Sequence, residues 1–444
     1  MCLDYTKSPL LASVARLPDN LQHMPKSKDS PLSAAASGGA AGSNTVRRLR
    51  LRISAAAEST LRSGHPWLFA DSIRDQNRPG EVGELAVIYD RKDRFLAMGL
   101  FDPGSPIRVR ILHAGKPRNV DRAFWGELLE QALIKRDGLF DSQTTGFRWI
   151  NGESDGWPGL VLDRYGGTLV LKIYTPAWLA WLPQILEVLS ERLQPDRIVL
   201  RLSRNSIPIA INRFANSDGQ VVSGKPIVET VTFLETGLFF EAEVLHGQKT
   251  GFFLDQRENR RKIETMSASR SVLNAFSFSG GFSLYAARGG ARSVTDLDIS
   301  AHALAAAERN FTLNKTNRII NACMRKKVQA DAFEWLAANR SPMFDMVILD
   351  PPSLAKRETE RERAVSAYRR LALLGLKLLR PQGVLLACSC SAHVSEQEFF
   401  ETVRAAARTT ARRYTELART THAPDHPATI PEAKYLKAMY LTVP

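Results

Sequence analysis

The stretch SVLNAFSFSGGFSLYAARGGARSVTDLDIS, residues 271–300, decides the fold class of this chain. It begins with a short apolar run that is typical of a buried strand, and the pair Gly280 and Gly281 then opens a helix-like run. A second apolar run follows and ends at Asp298. A strand, a helix and a second strand in this order predict a βαβ unit, in which the two strands are parallel.

The same alternation continues from this stretch towards the C-terminus. Strand-like runs and helix-like runs follow one another as far as GVLLACS at residues 383–389. The strand-like runs are almost entirely apolar, which indicates strands that are buried on both faces. We therefore predict an α/β chain whose residues 231–444 form a doubly wound, Rossmann-like domain, with a parallel sheet covered by helices on both sides.

Small and polar residues follow the first two strands of this predicted sheet. A doubly wound sheet binds ligands at the carboxyl ends of its strands, and Gly280 and Gly281 would let a ligand approach the backbone closely. The carboxylate of Asp298 could accept hydrogen bonds from both hydroxyls of a ribose. A nicotinamide dinucleotide would fit these features too, but the turn lacks the GxGxxG spacing that accommodates a pyrophosphate.

Two further strand ends carry carboxylates. Asp331 is placed to bind an adenine amino group, with Phe333 near the ring, although capping of the following helix is an alternative role. Asp350 lies in VILDPPS at 347–353, where two consecutive prolines predict a rigid, extended exit from a buried strand. These positions predict one ligand site along a single edge of the sheet.

The N-terminal half has a different pattern. Residues 1–46 are rich in Ser, Ala, Gly and Pro and predict a disordered extension. Short alternating runs over 47–120 predict a small β-barrel, in which Arg108 and Arg110 share one strand face, exposed to solvent or in contact with phosphate. Residues 121–230 combine strand-like and helix-like runs and predict a small α+β domain.

Composition limits the classes of function. The 60 Lys and Arg residues outnumber the 46 Asp and Glu residues, which gives a formal charge of +14 and favours a polyanionic partner. Four cysteines, without the spacing of a disulfide framework or a zinc site, favour a reducing compartment and predict no metal. The chain has no secretory signal and no long apolar run, so we expect a cytoplasmic protein without membrane association.

Taken in order, these motifs resemble those of class I S-adenosylmethionine-dependent methyltransferases. Within that class, four stretches resemble the bacterial ribosomal RNA large-subunit methyltransferase I family, which makes 5-methylcytosine in 23S rRNA: GQKTGFFLDQRENR at 247–260, NAFSFSGGFS at 274–283, LDPPS at 349–353 and SCS at 389–391. S-adenosylmethionine is the cofactor that this resemblance implies, and RNA, most specifically 23S rRNA, is the implied partner. A second copy of the chain is a further candidate partner.

The resemblance extends from about residue 47 to the C-terminus. GHPWLF at 64–69 is similar to the opening of that family's PUA domain, an RNA-binding β-barrel. NGESDGWPGLVLDRYG at 151–166 is similar to the start of its central α+β domain, and DHPATIPEAKYLK at 425–437 also matches. The first 46 residues fall outside the resemblance.

The resemblance implies a chemistry for two residues. Carbon 5 of cytosine is a poor nucleophile, and addition of a cysteine thiolate to carbon 6 would activate it. Cys390, in SCS after the last predicted strand, occupies the position of that nucleophile, and Asp350 would hydrogen-bond the N3 and N4 edge of the base. The source of thiol activation and the base that removes the carbon 5 proton cannot be assigned from these motifs.

The resemblance and the strand ends together give two sets of candidate binding residues. The predicted cofactor site consists of Lys249, Gly251, Gln256, Asn274, Phe276, Ser277, Gly280, Gly281, Asp298, Asp331, Phe333 and Asp350. The predicted RNA contacts are Arg62, His65, Trp67, Arg108 and Arg110.

Several of these residues have a plainer interpretation. Cys390 could be an inert buried cysteine, and Cys388, two residues earlier on the same strand face, is better explained by core packing. Trp67 could pack in the small barrel. Arg257 and Arg260 could meet phosphate or form surface ion pairs.

Three other functions remain open at this point. An acid-Pro-Pro motif also occurs in enzymes that methylate nitrogen, so a guanine or an exocyclic nitrogen is an alternative target. A noncatalytic RNA-binding or ribosome-assembly factor could retain the same fold. A dinucleotide-dependent oxidoreductase is the third alternative, against which the glycine spacing argues.

Overall fold

A computed structural model describes residues 48–227, 230–339, 341–410 and 412–444 of the chain. The predicted disordered extension, residues 1–46, lies outside the described residues. Four β-sheets organise the described part, and they follow one another along the chain. The division into domains that the sequence suggests stays a prediction.

Residues 49–114 contain the first sheet, which has the strand order β2-β6-β5-β4-β1-β3 in the described residues. Alternation explains its core, because Leu49, Leu51 and Ile53 of the first strand point inward while Arg50 and Arg52 are exposed. The short third strand and the helix were not predicted. The elements are β1 (Leu49–Ile53), α1 (Ala55–Arg62), β2 (Trp67–Phe69), β3 (Ile73–Gln76), β4 (Leu85–Tyr89), β5 (Phe95–Phe101) and β6 (Ile107–Ala114).

The second sheet, in the described residues from 146 to 224, has the order β11-β10-β9-β8-β7. Its core contains the fully buried rings of Trp125, Trp157 and Trp178, whose centroids lie 5.6–5.7 Å apart. The elements of this part are α2 (Arg122–Ile134), β7 (Gly146–Asn151), β8 (Leu160–Tyr165), β9 (Thr168–Ile173), α3 (Leu182–Leu193), β10 (Arg197–Leu202), α4 (Ile207–Phe214) and β11 (Gln220–Gly224).

The third sheet, which has two strands, and the fourth, which has seven and is the largest, form the C-terminal part in the described residues. A hairpin of β12 (Val231–Glu235) and β13 (Leu238–Ala242) precedes a sheet with the order β16-β15-β14-β17-β18-β20-β19 in the described residues. Its strands are β14 (Ser271–Ala275), β15 (Ser293–Asp298), β16 (Met324–Gln329), β17 (Phe344–Leu349), β18 (Leu379–Ser389), β19 (Thr415–Thr420) and β20 (Lys437–Val443). Its helices are α5 (Arg257–Thr265), α6 (Gly281–Arg288), α7 (Ala301–Leu313), α8 (Arg318–Ala322), α9 (Ala332–Ala338), α10 (Arg361–Lys377) and α11 (Glu396–Arg408).

The predicted doubly wound α/β fold is confirmed for strands β14 to β18, which pair in parallel. Strand β17 shows why both faces are covered. Its Met346 and Ile348 belong to one hydrophobic cluster, and its Val347 and Leu349 belong to another on the opposite face. No helix in the described ranges is both long enough and apolar enough to cross a membrane.

The sheet differs from the prediction at one edge, where β20 is antiparallel to both β18 and β19. Helix α11 carries the chain from β18 to β19, which leaves one strand position empty between them. The chain then returns through residues 421–436, here called the return segment, and β20 fills that position. This route places the return segment at the edge of the sheet where β14 to β18 have their carboxyl ends.

Candidate active site

A cavity of about 640 Å³ opens at this edge of the large sheet. Residues from the ends of five strands and from the segment before α5 line it. Of the residues that the sequence assigned to cofactor binding or catalysis, the lining contains Lys249, Gln256, Phe276, Ser277, Gly281, Asp298, Asp331, Asp350 and Cys390. The chain therefore brings together side chains that lie up to about 140 positions apart.

Gly251 and Gly280 do not line the cavity, but their backbones shape its wall. Gly280 has φ 74° and precedes α6, and a Cβ atom there would lie 2.8 Å from the Cβ of Ala307 in α7. Gly251 has φ 128°, a conformation that side chains rarely adopt. Both positions require glycine for conformational reasons.

Asn274 and Phe333 also lie outside the cavity lining. The buried amide of Asn274 donates to Ser283 (3.0 Å) and to Asp296 (3.3 Å), which joins the end of β14 to α6 and β15. The ring of Phe333 packs edge-on against Phe276, 6.2 Å between centroids. In the structure they support the wall rather than form its surface.

The loop after β14 is strained and is held by hydrogen bonds. Phe276 and Phe278 have φ 60° and 48°, in the left-handed region that side chains disfavour. The backbone N–H of Phe278 donates to Oδ2 of Asp298 (2.9 Å), and that of Ser300 donates to Oδ1 (2.9 Å). Asp298 thus fixes the two loops that border its own side of the cavity.

Three polar atoms of the cavity wall are buried and lack a hydrogen-bond partner among the described residues. They are the hydroxyls of Ser277 and Ser279 and the Oδ1 atom of Asp255. Buried polar groups are nearly always hydrogen-bonded, because an unsatisfied group costs about 1–3 kcal/mol. The wall therefore fits a polar ligand that would satisfy these atoms.

Asp350 follows β17 and is oriented by a chain of amides. The hydroxyl of Tyr440 donates to Oδ1 of Asn259 (3.1 Å), whose Nδ2 donates to Oε1 of Gln256 (2.5 Å). Gln256 is thereby left to donate through Nε2 to Oδ1 of Asp350 (2.9 Å). Burial, and secondly the negative charge of Asp255, raise the pKa of Asp350 to about 7.

Asp255 is a cavity residue that the sequence analysis missed. Its Oδ2 accepts hydrogen bonds from Nζ of Lys249 (2.5 Å) and from the hydroxyl of Tyr435 (2.8 Å). Burial alone would raise the pKa of Asp255, but the Lys249 cation holds it well below its ordinary range. The sequence could have indicated Asp255, because it lies in GQKTGFFLDQRENR at 247–260, between the predicted cofactor-binding residues Lys249 and Gln256.

Cys390 follows the end of β18 and is partly exposed in the cavity. Its Sγ lies 3.9 Å from the carbonyl oxygen of Pro351, so the sulfur is next to the Asp-Pro-Pro exit of β17. Cys388 is 1% exposed and belongs to the hydrophobic core. The two thiols of the CxC pair thus have different environments.

Arg257 and Arg260 have neither of the roles that the sequence left open. Arg257 is buried and donates to Oδ1 of Asp425 (2.5 Å) in the return segment. Arg260 is buried and forms a bidentate pair with Glu235 (2.8 and 2.7 Å). Both arginines therefore form buried ion pairs, and Arg260 also borders the cavity.

The five predicted RNA contacts lie on the first sheet, on its helix α1 and in the connection from α1 to β2, outside the cavity lining. Arg62 pairs with Glu58 and Asp90, and Arg108 donates to the carbonyl oxygen of Asp102 (3.4 Å). Burial lowers the pKa of the Arg110 guanidinium. Their contact with RNA stays a prediction.

Trp67 and His65 join this sheet to other parts of the chain. Trp67 is 4% exposed, packs with Ile430 of the return segment and donates through Nε1 to Glu153 (2.9 Å). His65 lies 3.5 Å from Glu432. Trp67 thus packs, as the alternative interpretation had it, but against the return segment rather than within the core of the small barrel.

The described part of the chain contains no group of three or more His, Cys, Asp or Glu side chains that could hold a metal ion. The side chains that line the cavity supply carboxylates, hydroxyls, amides, basic groups and the thiol of Cys390.

Two family models match the chain. The model described as S-adenosylmethionine-dependent methyltransferase matches residues 207–442, more than half of the chain. The model described as a PUA-like domain matches residues 51–114, the region of the first sheet.

Curated relatives match over nearly their whole length. A ribosomal RNA large subunit methyltransferase of Deinococcus radiodurans is 56% identical over 408 residues, which cover 90% of this chain and 99% of the relative. Proteins named ribosomal RNA large subunit methyltransferase I from Alteromonas mediterranea and Aliivibrio fischeri are 32% and 34% identical, and each match covers 96% of the relative and 86–87% of this chain.

Two solved structures share the fold. One, from Streptococcus mutans and assigned to the SAM-dependent methyltransferases, has a TM-score of 0.74 at 22% identity. The other, assigned to the methyltransferases and solved in complex with SAH, has a TM-score of 0.75 at 22% identity. Each match covers 89% of this chain and all of the other.

Proposed function

Because this chain belongs to the S-adenosylmethionine-dependent methyltransferase family that includes the ribosomal RNA large subunit methyltransferases, we propose that it forms 5-methylcytosine in 23S rRNA through a covalent adduct of Cys390. The observation that supports this proposal most directly is the shared cavity. Cys390 and Asp350, the two residues with suitable chemistry for a cytosine, line the same 640 Å³ space as Asp298 and Asp331.

S-adenosylmethionine fits the polar wall of the cavity, and when bound it supplies an electrophilic methyl group. We assign its ribose hydroxyls to Asp298 and its adenine amino group to Asp331, each at the end of a neighbouring strand. The unpartnered hydroxyls of Ser277 and Ser279 would complete the polar contacts. Lys249, Gly251 and Gln256 belong to the segment that covers this side of the cavity.

Cys390 has the task of making carbon 5 nucleophilic. Its thiolate adds to carbon 6 of the cytosine, so that the electron pair of the 5,6 double bond becomes available at carbon 5. After carbon 5 has accepted the methyl group, loss of its proton restores the double bond and breaks the bond between sulfur and carbon 6. The thiolate of Cys390 is thereby regenerated.

Asp350 has the task of stabilising the charge that develops during this addition. Negative charge moves to N3 of the cytosine when the thiolate adds, and a proton donor there lowers the barrier. With its pKa raised to about 7, Asp350 retains its carboxylic acid form at a higher pH than an ordinary aspartate does. Gln256 donates to one of its oxygens, which leaves the other oxygen to hold the base.

The test is methyl transfer by Cys390→Ala. With labelled S-adenosylmethionine and unmethylated 23S rRNA, we expect transfer to fall by more than about a thousandfold, because the nucleophile is lost. Cofactor affinity, measured by calorimetry, should remain close to that of the wild type. Cys388→Ala is the matched control, since it removes a neighbouring thiol that faces the core.

Three results would contradict the proposal. Unchanged transfer by Cys390→Ala rejects the covalent adduct. Mass spectrometry of the product RNA that locates the methyl group on a guanine or on an exocyclic nitrogen rejects cytosine carbon 5 as the target. Cofactor binding without any transfer to RNA would favour a noncatalytic RNA-binding factor.

A further inference from the structure

Lys437 is a buried cation beside the candidate nucleophile. It is the first residue of β20, ends the stretch DHPATIPEAKYLK, and is only 1% exposed. Its ammonium donates to the carbonyl oxygens of Ser391 (2.7 Å) and Val394 (2.6 Å). The side chain is thus anchored in the loop that follows Cys390.

The position of this cation is set by the sheet. In the antiparallel pairing of β18 and β20, Lys437 lies opposite Ser389, the residue before Cys390. Ser391, whose carbonyl oxygen accepts one of the two hydrogen bonds of the ammonium (2.7 Å), is the residue after Cys390. Backbone pairing and side-chain hydrogen bonds therefore hold the ammonium close to the sulfur-bearing residue.

The partners of the ammonium do not neutralise it. A buried charge is costly unless an opposite charge compensates it, and both hydrogen-bond acceptors here are neutral carbonyls. Within the described residues, no carboxylate forms an ion pair with Lys437. Burial lowers the pKa of Lys437, and the nearby Cys390, Glu396 and Glu398 oppose this effect.

We propose that Lys437 is a positioning residue that stabilises the thiolate of Cys390, so that the pair of buried ammonium and thiolate is the resting form of the nucleophile. The thiol gives its proton to solvent and Lys437 keeps its own. Lys437 does not line the cavity, so it acts through Cys390 and does not touch the base. This inference deepens the proposed function and rests on it for the role of Cys390.

Other titratable groups face this pair and affect its pH dependence. The hydroxyl of Tyr368 in α10 lies 2.8 Å from Oγ of Ser391, Asp350 follows β17, and Cys388 lies on β18. His393 lies 3.3 Å from Glu358. Burial lowers the pKa of Lys437 to about 8, so this cation is largely retained at neutral pH.

The experiment measures the reactivity of Cys390 without RNA and without S-adenosylmethionine. The rate of alkylation by iodoacetamide is followed from pH 5.5 to 9.5, and tandem mass spectrometry quantifies the product at Cys390, with Cys390→Ser as the blank. We expect the wild type to react with a midpoint below about 8.5, the value of an ordinary thiol. Lys437→Met should raise this midpoint by at least about one unit and slow alkylation at pH 7 about tenfold.

Further variants separate charge from structure. Lys437→Arg keeps the positive charge and should keep the low midpoint, while Lys437→Gln keeps a hydrogen-bond donor without charge and should behave like Lys437→Met. Circular dichroism checks that each variant is folded. If both neutral variants fail to fold, the wild-type midpoint decides the question by itself, because a value at or above about 8.5 overturns the proposal.

An equal midpoint of Cys390 alkylation in the wild type and in a folded neutral variant also overturns the proposed role of Lys437. The result is independent of the proposed function, because alkylation requires neither substrate nor methyl transfer. If the midpoint is not lowered but Cys390→Ala abolishes methyl transfer, only the role of Lys437 is wrong. If the midpoint is lowered but Cys390→Ala remains active, only the proposed covalent adduct is wrong.

Discussion

Asp255 and Asp350 show how two carboxyl groups in one cavity acquire different proton affinities. Asp255 has a cation, Lys249, and a hydroxyl, Tyr435, on the same oxygen. Asp350 accepts from the neutral amide of Gln256, and burial together with the negative charge of Asp255 outweighs the more weakly acting cations Lys249 and Arg260. Environment alone therefore predicts an ionised Asp255 and an Asp350 that titrates near neutral pH.

This difference predicts the pH dependence of methyl transfer. Asp350 donates a proton only while it is a carboxylic acid, and its raised pKa of about 7 means that this form is lost as the pH rises through 7. We expect kcat/KM to fall on the alkaline side with an apparent pKa near 7, in single-turnover measurements from pH 5.5 to 9. A rate that rises steadily to pH 9 would contradict the acid role of Asp350.

Two variants should shift the apparent pKa of this alkaline fall in kcat/KM, here called the alkaline limb, in opposite directions. Asp255→Asn removes the negative charge that raises the pKa of Asp350, so the limb should move to lower pH by about one unit. Gln256→Leu removes the hydrogen bond that lowers it, so the limb should move to higher pH. Shifts of the same sign in both variants would show that the limb belongs to another group.

The residues of the cavity differ in how far the sequence could reveal them. Asp298 and Asp350 stand at the ends of largely buried strands, whereas Asp331 follows β16, MRKKVQ, which is charged and largely exposed. Strand order was therefore enough to predict that the three carboxylates lie together, although apolar periodicity marks only two of the strands. Asp255 and Lys437 depend on partners that are distant along the chain, such as Tyr435 for Asp255 and Ser391 for Lys437. Such pairs exist only after the return segment has been placed.

At the level of elements, Asp331 connects helix formation with the cavity. It is the N-cap of α9, where its Oδ1 accepts from the backbone N–H of Glu334 (3.0 Å), and it also lines the cavity. Capping and ligand binding are therefore compatible roles of one side chain, as the sequence analysis left open.

Substitutions at Asp331 separate the two roles. Asp331→Ala should lower the free energy of unfolding by about 1 kcal/mol and also weaken cofactor binding. Asp331→Ser keeps a good N-cap but loses the carboxylate, so stability should stay near that of the wild type while the Kd for S-adenosylmethionine rises about tenfold or more. Urea denaturation and calorimetry measure the two quantities, and an unchanged Kd in Asp331→Ser would leave only the capping role.

The elements that escaped prediction have physical reasons in common. Strand β19 is an edge strand whose residues are at most partly buried, so TELART lacks the apolar run that marks β14 to β18. Helix α5, RENRRKIET, is highly charged, yet Arg257 and Arg260 on it are buried by ion pairs with Asp425 and Glu235. Hydrophobic periodicity cannot report burial that depends on such pairs.

For the whole molecule, the return segment joins parts that are far apart in sequence. Oδ2 of Asp425 accepts from the backbone N–H of Arg148 in β7 (2.9 Å), and its Oδ1 accepts from Arg257 of α5 (2.5 Å). The carbonyl oxygen of the same residue accepts from Arg136 (2.8 Å). One buried residue thus connects the second sheet with the large sheet.

Loss of this carboxylate should destabilise the molecule strongly. Asp425→Ala removes the buried counter-charge of Arg257 and leaves it only the partly exposed Glu258 (3.4 Å), so the free energy of unfolding should fall by about 3–5 kcal/mol. Glu401→Ala, which removes an exposed ion pair, is the control and should cost less than about 1 kcal/mol. Urea denaturation at pH 7 measures both, and equal losses would contradict a special role of Asp425.

The same carboxylate predicts a dependence of stability on pH. Burial opposes its ionisation, but the charges of His426 and Arg257 hold the pKa of Asp425 far below its ordinary value. Its stabilising contribution is therefore complete above the unfolded-state pKa of about 3.9 and is lost as the pH falls towards the folded-state pKa. The difference in stability between the wild type and Asp425→Asn should accordingly narrow below about pH 4.

The position of β20 has a consequence for how the chain acquires its structure. This strand follows all other described elements in sequence, yet it lies inside the sheet, between β18 and β19. During synthesis from the N-terminus, the backbone groups of β18 and β19 that face β20 have no hydrogen-bond partner until residues 437–443 have emerged. This part of the sheet therefore cannot form on the ribosome before residues 437–443 have been synthesised, because only β20 joins β18 to β19 in the described structure.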